Sequence, residues 1–187
     1  TNGHLHLKLT QRRRKCYCAE VSTQERFGFG RYQFWVTGRI DRLDPNLVLG
    51  LFNYPTPDVG PDATNEIDIE FAKWGQSKAP IGNYAVWPVD ITVPRQGESF
   101  AFKLKGNAST HRFTWNPTNI FFQSQHGHQD DDSNPIHSWL YQPVDPAPSI
   151  SQQPMPVHIN LWCFEGKAPR SRRPVEIIIR AFKFTPL

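Results

Sequence analysis

The chain has 187 residues, 38% of them hydrophobic and 20% charged, and its 21 Lys and Arg against 17 Asp and Glu leave a formal charge of +4. That size and composition fit one globular domain, numbered 1–187, that buries a core without an obligatory metal or disulfide framework, and they exclude a disordered chain. No apolar run approaches the ~20 residues of a membrane helix, and no zinc spacing, phosphate loop or recognition helix accompanies the basic residues, so neither membrane nor nucleic acid is expected as a partner.

In chain order, strand-like segments fall at residues 3–9, 16–23, 30–40, 47–54, 66–72, 82–87, 100–104, 111–115, 119–124, 157–163 and 174–184. They are short, aromatic and β-branched, and Gly, Pro, Asn or Asp separate them. No long window carries a 3.6-residue period. The 17 prolines also oppose long helices. About ten such segments without helices predict two packed antiparallel sheets. Arg12 to Lys15 and Lys167 to Arg173 read as solvated basic loops. Gln125 to Asn134, with His126, His128 and three aspartates, reads as a surface loop because its spacing suits no metal. Pro143 to Pro156 reads as a long proline-rich loop within the domain. The three cysteines, Cys16, Cys18 and Cys163, have neither zinc nor redox spacing. One disulfide to Cys163 is compatible with them, an odd count leaves a thiol over, and buried thiols are the simplest reading.

Residues 66–71 alternate strictly. Ile67, Ile69 and Phe71 point to one face, and Glu66, Asp68 and Glu70 to the other. Three carboxylates on one face repel each other when ionised, so at least one must hold its proton to higher pH, and the titration belongs to the cluster. Retaining glycoside hydrolysis needs one carboxylate as nucleophile and one protonated carboxyl as acid, about 5–5.5 Å apart. Alpha carbons four residues apart on a strand are ~13 Å apart, and two glutamates are long enough to lean together across that gap. Asp68, between them, can hydrogen-bond either head. A wider gap would suit inversion, and a half-exposed strand with a polar outer face is the structural alternative.

This segment resembles the signature of glycoside hydrolase family 16, the group of lichenases, laminarinases, xyloglucan transglycosylases, agarases and carrageenases. Other stretches resemble the family in the same order: Gly3 to Leu7, Cys18 to Glu20 with Phe27 to Tyr32, Leu51 to Pro55, His111 to Trp115 with Asn119 to Gly127, and Ile159 to Trp162. The resemblance spans almost the whole chain and implies an all-β, concanavalin-like jelly-roll sandwich with a substrate cleft across a concave sheet. It implies Glu66 as nucleophile, Glu70 as general acid/base and Asp68 as the assisting residue. With no extra residue between Asp68 and Glu70, the strand resembles the unbulged branch of lichenases and xyloglucan enzymes. Thr64 stands where many members carry Trp, so a stacking platform is missing there or supplied elsewhere.

Aromatic faces stack on pyranose rings and amides bond their hydroxyls. Phe52, Tyr54, Asn83, Trp87, Asn160 and Trp162 are the candidate sugar contacts by strand parity and family matching. Trp35, Trp74, Trp115 and Trp139 read as core or loop anchors. His158 shares the face of Asn160 and reads as a hydrogen-bonded structural residue. The expectation is a secreted, monomeric, retaining endo-glycosidase acting on a polysaccharide, a β-glucan first. A galactan or agar-type hydrolase, a transglycosylase of the same family and a non-catalytic carbohydrate-binding module are the alternatives. No cofactor is required; a structural calcium, implied by the resemblance, cannot be read from the sequence. The chain begins at Thr1 without Met and reads as a mature or trimmed form.

Overall fold

A computed structural model describes residues 3–12, 15–171 and 173–187. Arg13, Arg14 and Arg172, members of the two basic clusters, lie outside the described residues. Among the described residues thirteen strands run in chain order: β1 (Leu5–Arg12), β2 (Lys15–Tyr17), β3 (Ala19–Phe27), β4 (Gly30–Thr37), β5 (Leu47–Asn53), β6 (Ile67–Ala72), β7 (Gly82–Val86), β8 (Gln96–Phe100), β9 (Ala108–Trp115), β10 (Ile120–His126), β11 (Pro135–Tyr141), β12 (Met155–Cys163) and β13 (Val175–Pro186). Among the described residues the only helical turns are Ile40–Arg42 and Phe164–Gly166.

The strands form two antiparallel sheets, of order β11-β10-β9-β4-β13-β1-β2 and β3-β12-β5-β6-β7-β8. This is the all-β jelly-roll sandwich expected from the sequence. Period-2 alternation drives it: Leu47, Leu49, Leu51, Ile67, Ile69, Phe71, Tyr84, Val157, Ile159 and Leu161 turn inward from the six-stranded sheet, against Tyr32, Phe34, Phe113, Trp115 and Phe122 from the other. Each fully buried side chain of this kind contributes roughly 1.5–3 kcal/mol. The even-numbered residues of β5, β6 and β12 are therefore left on the outer face.

Three strand assignments differ from the sequence reading. The predicted strand 16–23 is broken at Cys18 into β2, at the edge of the seven-stranded sheet, and β3, at the edge of the six-stranded one. The predicted strand 100–104 is displaced: β8 is Gln96–Phe100, and residues 101–104 are irregular. The apolar spacing of Phe100, Phe102 and Leu104 reflects insertion into the core, while the paired edge strand itself is polar. β11 was not anticipated, because Pro135 and the mixed sequence after it lie between two loop-like stretches. The His/Asp loop is also more than a solvated surface loop. Asp132 and the Asp131 carbonyl accept hydrogen bonds from Arg112, a fully buried guanidinium on β9. All three cysteines are free thiols, Cys163 buried, Cys16 half-buried and Cys18 exposed.

Candidate active site

Register assembles the site from strands distant in sequence. Glu20, Asn160, Gly50, Glu70, Asn83 and Ser99 form one row across all six strands. Ser22 and His158, with Phe52, Asp68 and Ala85, form the row beside it. Gly50 opens the space in the first row. A Cβ there would stand 2.6 Å from the Asn160 amide oxygen, which accepts a hydrogen bond from the Gly50 N–H at 3.1 Å.

Glu66 immediately precedes β6 and is held there by its backbone: its carbonyl accepts the Trp87 N–H at 2.8 Å, and the Asn65 N–H bonds the Pro88 carbonyl at 2.9 Å. Asn65 has φ 62 and Ala63 φ 64, left-handed conformations that turn the chain sharply into the strand. Thr64 is buried and donates to the Pro61 carbonyl, so no platform occupies that position.

Glu66 and Glu70 open into one cavity of about 400 Å³, shared with Glu20, Phe52, Tyr54, His158, Asn160 and Trp162. Four predicted sugar contacts thus line the same cavity as the two glutamates. Phe52, Tyr54 and His158 pack as a ring cluster with centroids 5.3–6.1 Å apart. Glu20 bridges the His158 ring, at 2.9 Å, and the Asn160 amide, at 3.3 Å. Tyr54 donates to Asp62 at 3.0 Å. Glu20 and Asp62 had no role in the sequence reading.

The other two predicted contacts lie across β6, in a second cavity of about 580 Å³ lined by Trp74, Trp87, Arg95, Ser99 and Phe164 among others. Asn83 faces it, but its amide donates to the carbonyls of Ala72 and Ile81 and its oxygen accepts from Ser99. Its hydrogen-bonding capacity is largely spent on the sheet. Trp87 does more than offer a ring: its indole N–H donates to Asp68 Oδ2 at 2.9 Å. The Arg95 guanidinium lies over that ring, 4.9 Å from its centroid. Of the tryptophans read as anchors, Trp115 is fully buried and donates to the Ser151 carbonyl, whereas Trp74 borders this cavity.

All three carboxyls hold their protons to higher pH than usual. Burial pushes Glu66 up to about 7; the charge of Glu70 adds to the rise, while a hydrogen bond with Asp68 and the Arg95 charge oppose it. Burial and the Asp68 charge push Glu70 up to about 8, against Arg95. Asp68, at 2% exposure, is raised well above the carboxylate range by burial and by its interaction with Glu66, against Arg95 and the Trp87 N–H. The crowding expected from alternation therefore acts on every member of the row, and desolvation exceeds repulsion as its cause. A strand that keeps one carboxyl protonated beside an ionised one near neutral pH can both donate a proton and attack an electrophile. Among the described residues no group of three or more His, Cys, Asp or Glu is placed to hold a metal ion. The calcium implied by the resemblance finds no side-chain cluster among them.

The sandwich superposes on solved glycosidase structures. The Bacillus licheniformis β-glucanase matches with a TM-score of 0.68 over 99% of this chain and 79% of its own, at 21% identity. The chain shares its fold. A laminarinase from Flavobacterium sp. UMI-01 gives a TM-score of 0.71 at 15% identity, covering 98% of this chain and 79% of that one. A glycoside hydrolase family 16 endo-glucanase from Bacteroides ovatus gives 0.68 at 14% identity, covering 97% and 80%. No family model matches the sequence, and no curated protein matches it either.

Proposed function

We propose that the chain is a glycoside hydrolase of family 16, a secreted monomer that cuts internal bonds of a β-linked polysaccharide, most simply a β-glucan, with retention of configuration. The observation that carries this reading is the pair Glu66 and Glu70 lining one cavity, both with raised proton affinities. The fold shared with β-glucanase, laminarinase and endo-glucanase structures supports it. Cavities on both sides of β6 suit a chain that runs past the scissile bond in both directions.

In this mechanism ionised Glu66 attacks the anomeric carbon. The carbon–oxygen bond to the leaving sugar breaks, and Glu70 gives its proton to that oxygen. Glu70, now ionised, takes a proton from water, whose oxygen displaces Glu66 from the anomeric carbon. Both groups return to their starting states. The resemblance to the family motif assigns the nucleophile to Glu66 and the acid to Glu70, and the raised proton affinity of both suits a row that holds a proton near neutral pH. Asp68, beside Glu66 in the row, lowers the proton affinity of Glu66 and can hold its charge state through the cycle. A sugar hydroxyl in place of water gives transglycosylation through the same intermediate.

Lichenan, laminarin, xyloglucan and agarose, assayed by reducing-end release, test the reading. Cleavage of one of the glucans with the retained anomer released first, seen by early NMR, is the expected result. Cleavage of agarose alone moves the substrate to galactans. First release of the inverted anomer removes the nucleophile role from Glu66. Binding without cleavage of any member makes the chain a carbohydrate-binding module.

A further inference from the structure

The indole N–H of Trp87 and the guanidinium of Arg95 form a continuous chain of contacts to the buried end of the carboxylate row. The N–H reaches Asp68 Oδ2 at 2.9 Å, and the guanidinium covers the ring at 4.9 Å. An indole nitrogen donates and never accepts. Oδ2 is therefore an acceptor, and because the carbonyl oxygen of a neutral carboxyl accepts better than its hydroxyl, this contact favours the other oxygen for a proton on Asp68. Asp68 also interacts with Glu66, the next carboxyl of the row, in the sense that favours the proton on Asp68 and the charge on Glu66. With the Asp68 proton turned toward Glu66, Asp68 is the donor and Glu66 the acceptor, the arrangement a nucleophile needs. A cation over the ring face adds a further effect: cation–π attraction fixes the indole, and the positive charge polarises its N–H toward the carboxylate.

The charged surroundings make Arg95 unusual. Asp62 stands before Glu66, with the Tyr54 hydroxyl bonded to it. Glu20 on β3 engages His158 on β12, and Glu98 on β8 engages His137 on β11. Of these carboxylates Asp62 adds to the negative charge acting on Glu66, and among the described residues Arg95 is the cation that acts against it at all three of Glu66, Asp68 and Glu70.

We infer that Arg95 and Trp87 are a positioning pair: the guanidinium fixes and polarises the indole, and the indole N–H directs the proton of Asp68 toward Glu66. Trp87 thereby acts on the protein's own carboxylates, a role separate from stacking on sugar. The inference rests on the double-displacement reading of the site.

The test uses Arg95→Gln, Arg95→Lys and Trp87→Phe in the full chain. It reads kcat and KM against pH and, independently of turnover, carboxyl titrations by NMR of protein carrying carbon-13 at Asp and Glu side chains. Arg95→Gln should move both limbs of the pH profile upward by about half a unit, because a lost cation favours the protonated forms. The shift should shrink as salt rises, and Arg95→Lys should restore most of it. Trp87→Phe keeps a ring but removes the donor, and should lower kcat about 10- to 100-fold with KM changed less than about threefold, as expected for losing a hydrogen bond that acts on the carboxyls of the row and not on substrate. Limbs that stay in place in Arg95→Gln while KM alone rises would make Arg95 a substrate contact and overturn the inference. If no glycan is turned over, the titrations still decide: carboxyl signals that move in Arg95→Gln sustain the pair and count against the glycosidase reading alone, and unmoved signals overturn the pair.

Discussion

Two clusters of polar side chains are buried in this sandwich, and they are built on opposite plans. On the seven-stranded sheet, Arg112 is fully buried yet donates to Asp132, Gln125 and the Asp131 carbonyl. His111, between the sheets, bonds Ser109 and Ser124 at 2.8 Å each, and Tyr84 donates to the same Ser124. Both terminal nitrogens of the guanidinium and both ring nitrogens of His111 have partners, and only the Arg112 Nε is left without one. On the six-stranded sheet, Glu66, Asp68 and Glu70 are three acids side by side, with one indole N–H and a rim cation set against them. The first cluster contributes rigidity and is closed to ligands. The second is left electrostatically unfinished, and its members respond by raising their proton affinity. An incomplete buried site opening into a cavity is what chemistry requires and what stability disfavours.

Substitutions can break that contrast at either end. The largest effect is expected at Glu66. Glu66→Ala should lower turnover by about four orders of magnitude or more, with an unchanged circular dichroism spectrum, because its side chain contributes to the cavity wall and little to the core. A variant retaining a tenth of wild-type activity would remove Glu66 from the chemistry. In the closed cluster the response should be the reverse. Arg112→Met should lower stability by about 3 kcal/mol, since Gln125 and the Asp131 carbonyl lose a charged donor, while turnover per folded molecule stays near wild type. Urea unfolding paired with active-site titration separates the two quantities. A loss of turnover without loss of stability at Arg112 would erase the distinction between the clusters. Asp68→Asn falls between them. It should slow turnover about 10- to 100-fold, less than loss of either glutamate, because it keeps a hydrogen-bonding side chain beside Glu66 but removes the ionisable one.

What could be read from the sequence follows the same division. The carboxylate row was legible because period-2 alternation acts over six consecutive residues and fixes a face without reference to the rest of the chain. The jelly roll was legible because turn residues punctuate nearly every strand. Glu20, Asp62 and Arg95 were not legible as site residues. Each reaches the site only through register or a loop: Glu20 lies opposite Asn160, 140 residues away, and Arg95 stacks on Trp87 from the segment before β8. His158 carried a signal, shared parity with Asn160, that local pattern alone could not separate from a structural role. Asn83 and Trp87 show the converse limit. Parity placed them on the outer face, but their hydrogen bonds to the sheet and to Asp68 depend on partners that no single segment contains.

The smallest effect expected is on stability, and its sign distinguishes the two plans most sharply. Glu70 has its folded-state proton affinity pushed up to about 8, chiefly by burial, against an unfolded value near 4.3. Below the unfolded value the carboxyl is protonated in both states, and the full contribution of the neutral group to stability is present. As pH rises through the interval between the two values, the unfolded chain releases its proton and the folded one does not, so folding loses stability steadily. Above about 8 both states are ionised and the loss levels off. Glu70→Gln, neutral at every pH and close in shape, should therefore melt a few degrees above wild type at pH 8 and within about one degree of it at pH 4. It should also lose hydrolysis of unactivated glycans, having no proton to give. Thermal melts at the two pH values suffice to check it. A Gln variant less stable than wild type at pH 8 would mean that the ionised carboxylate is held by compensating partners, as Arg112 is on the other sheet, and that the row is a structural feature. A gain confined to the alkaline side would instead identify Glu70 as a carboxyl kept in place at the expense of stability, which only a function at that position explains.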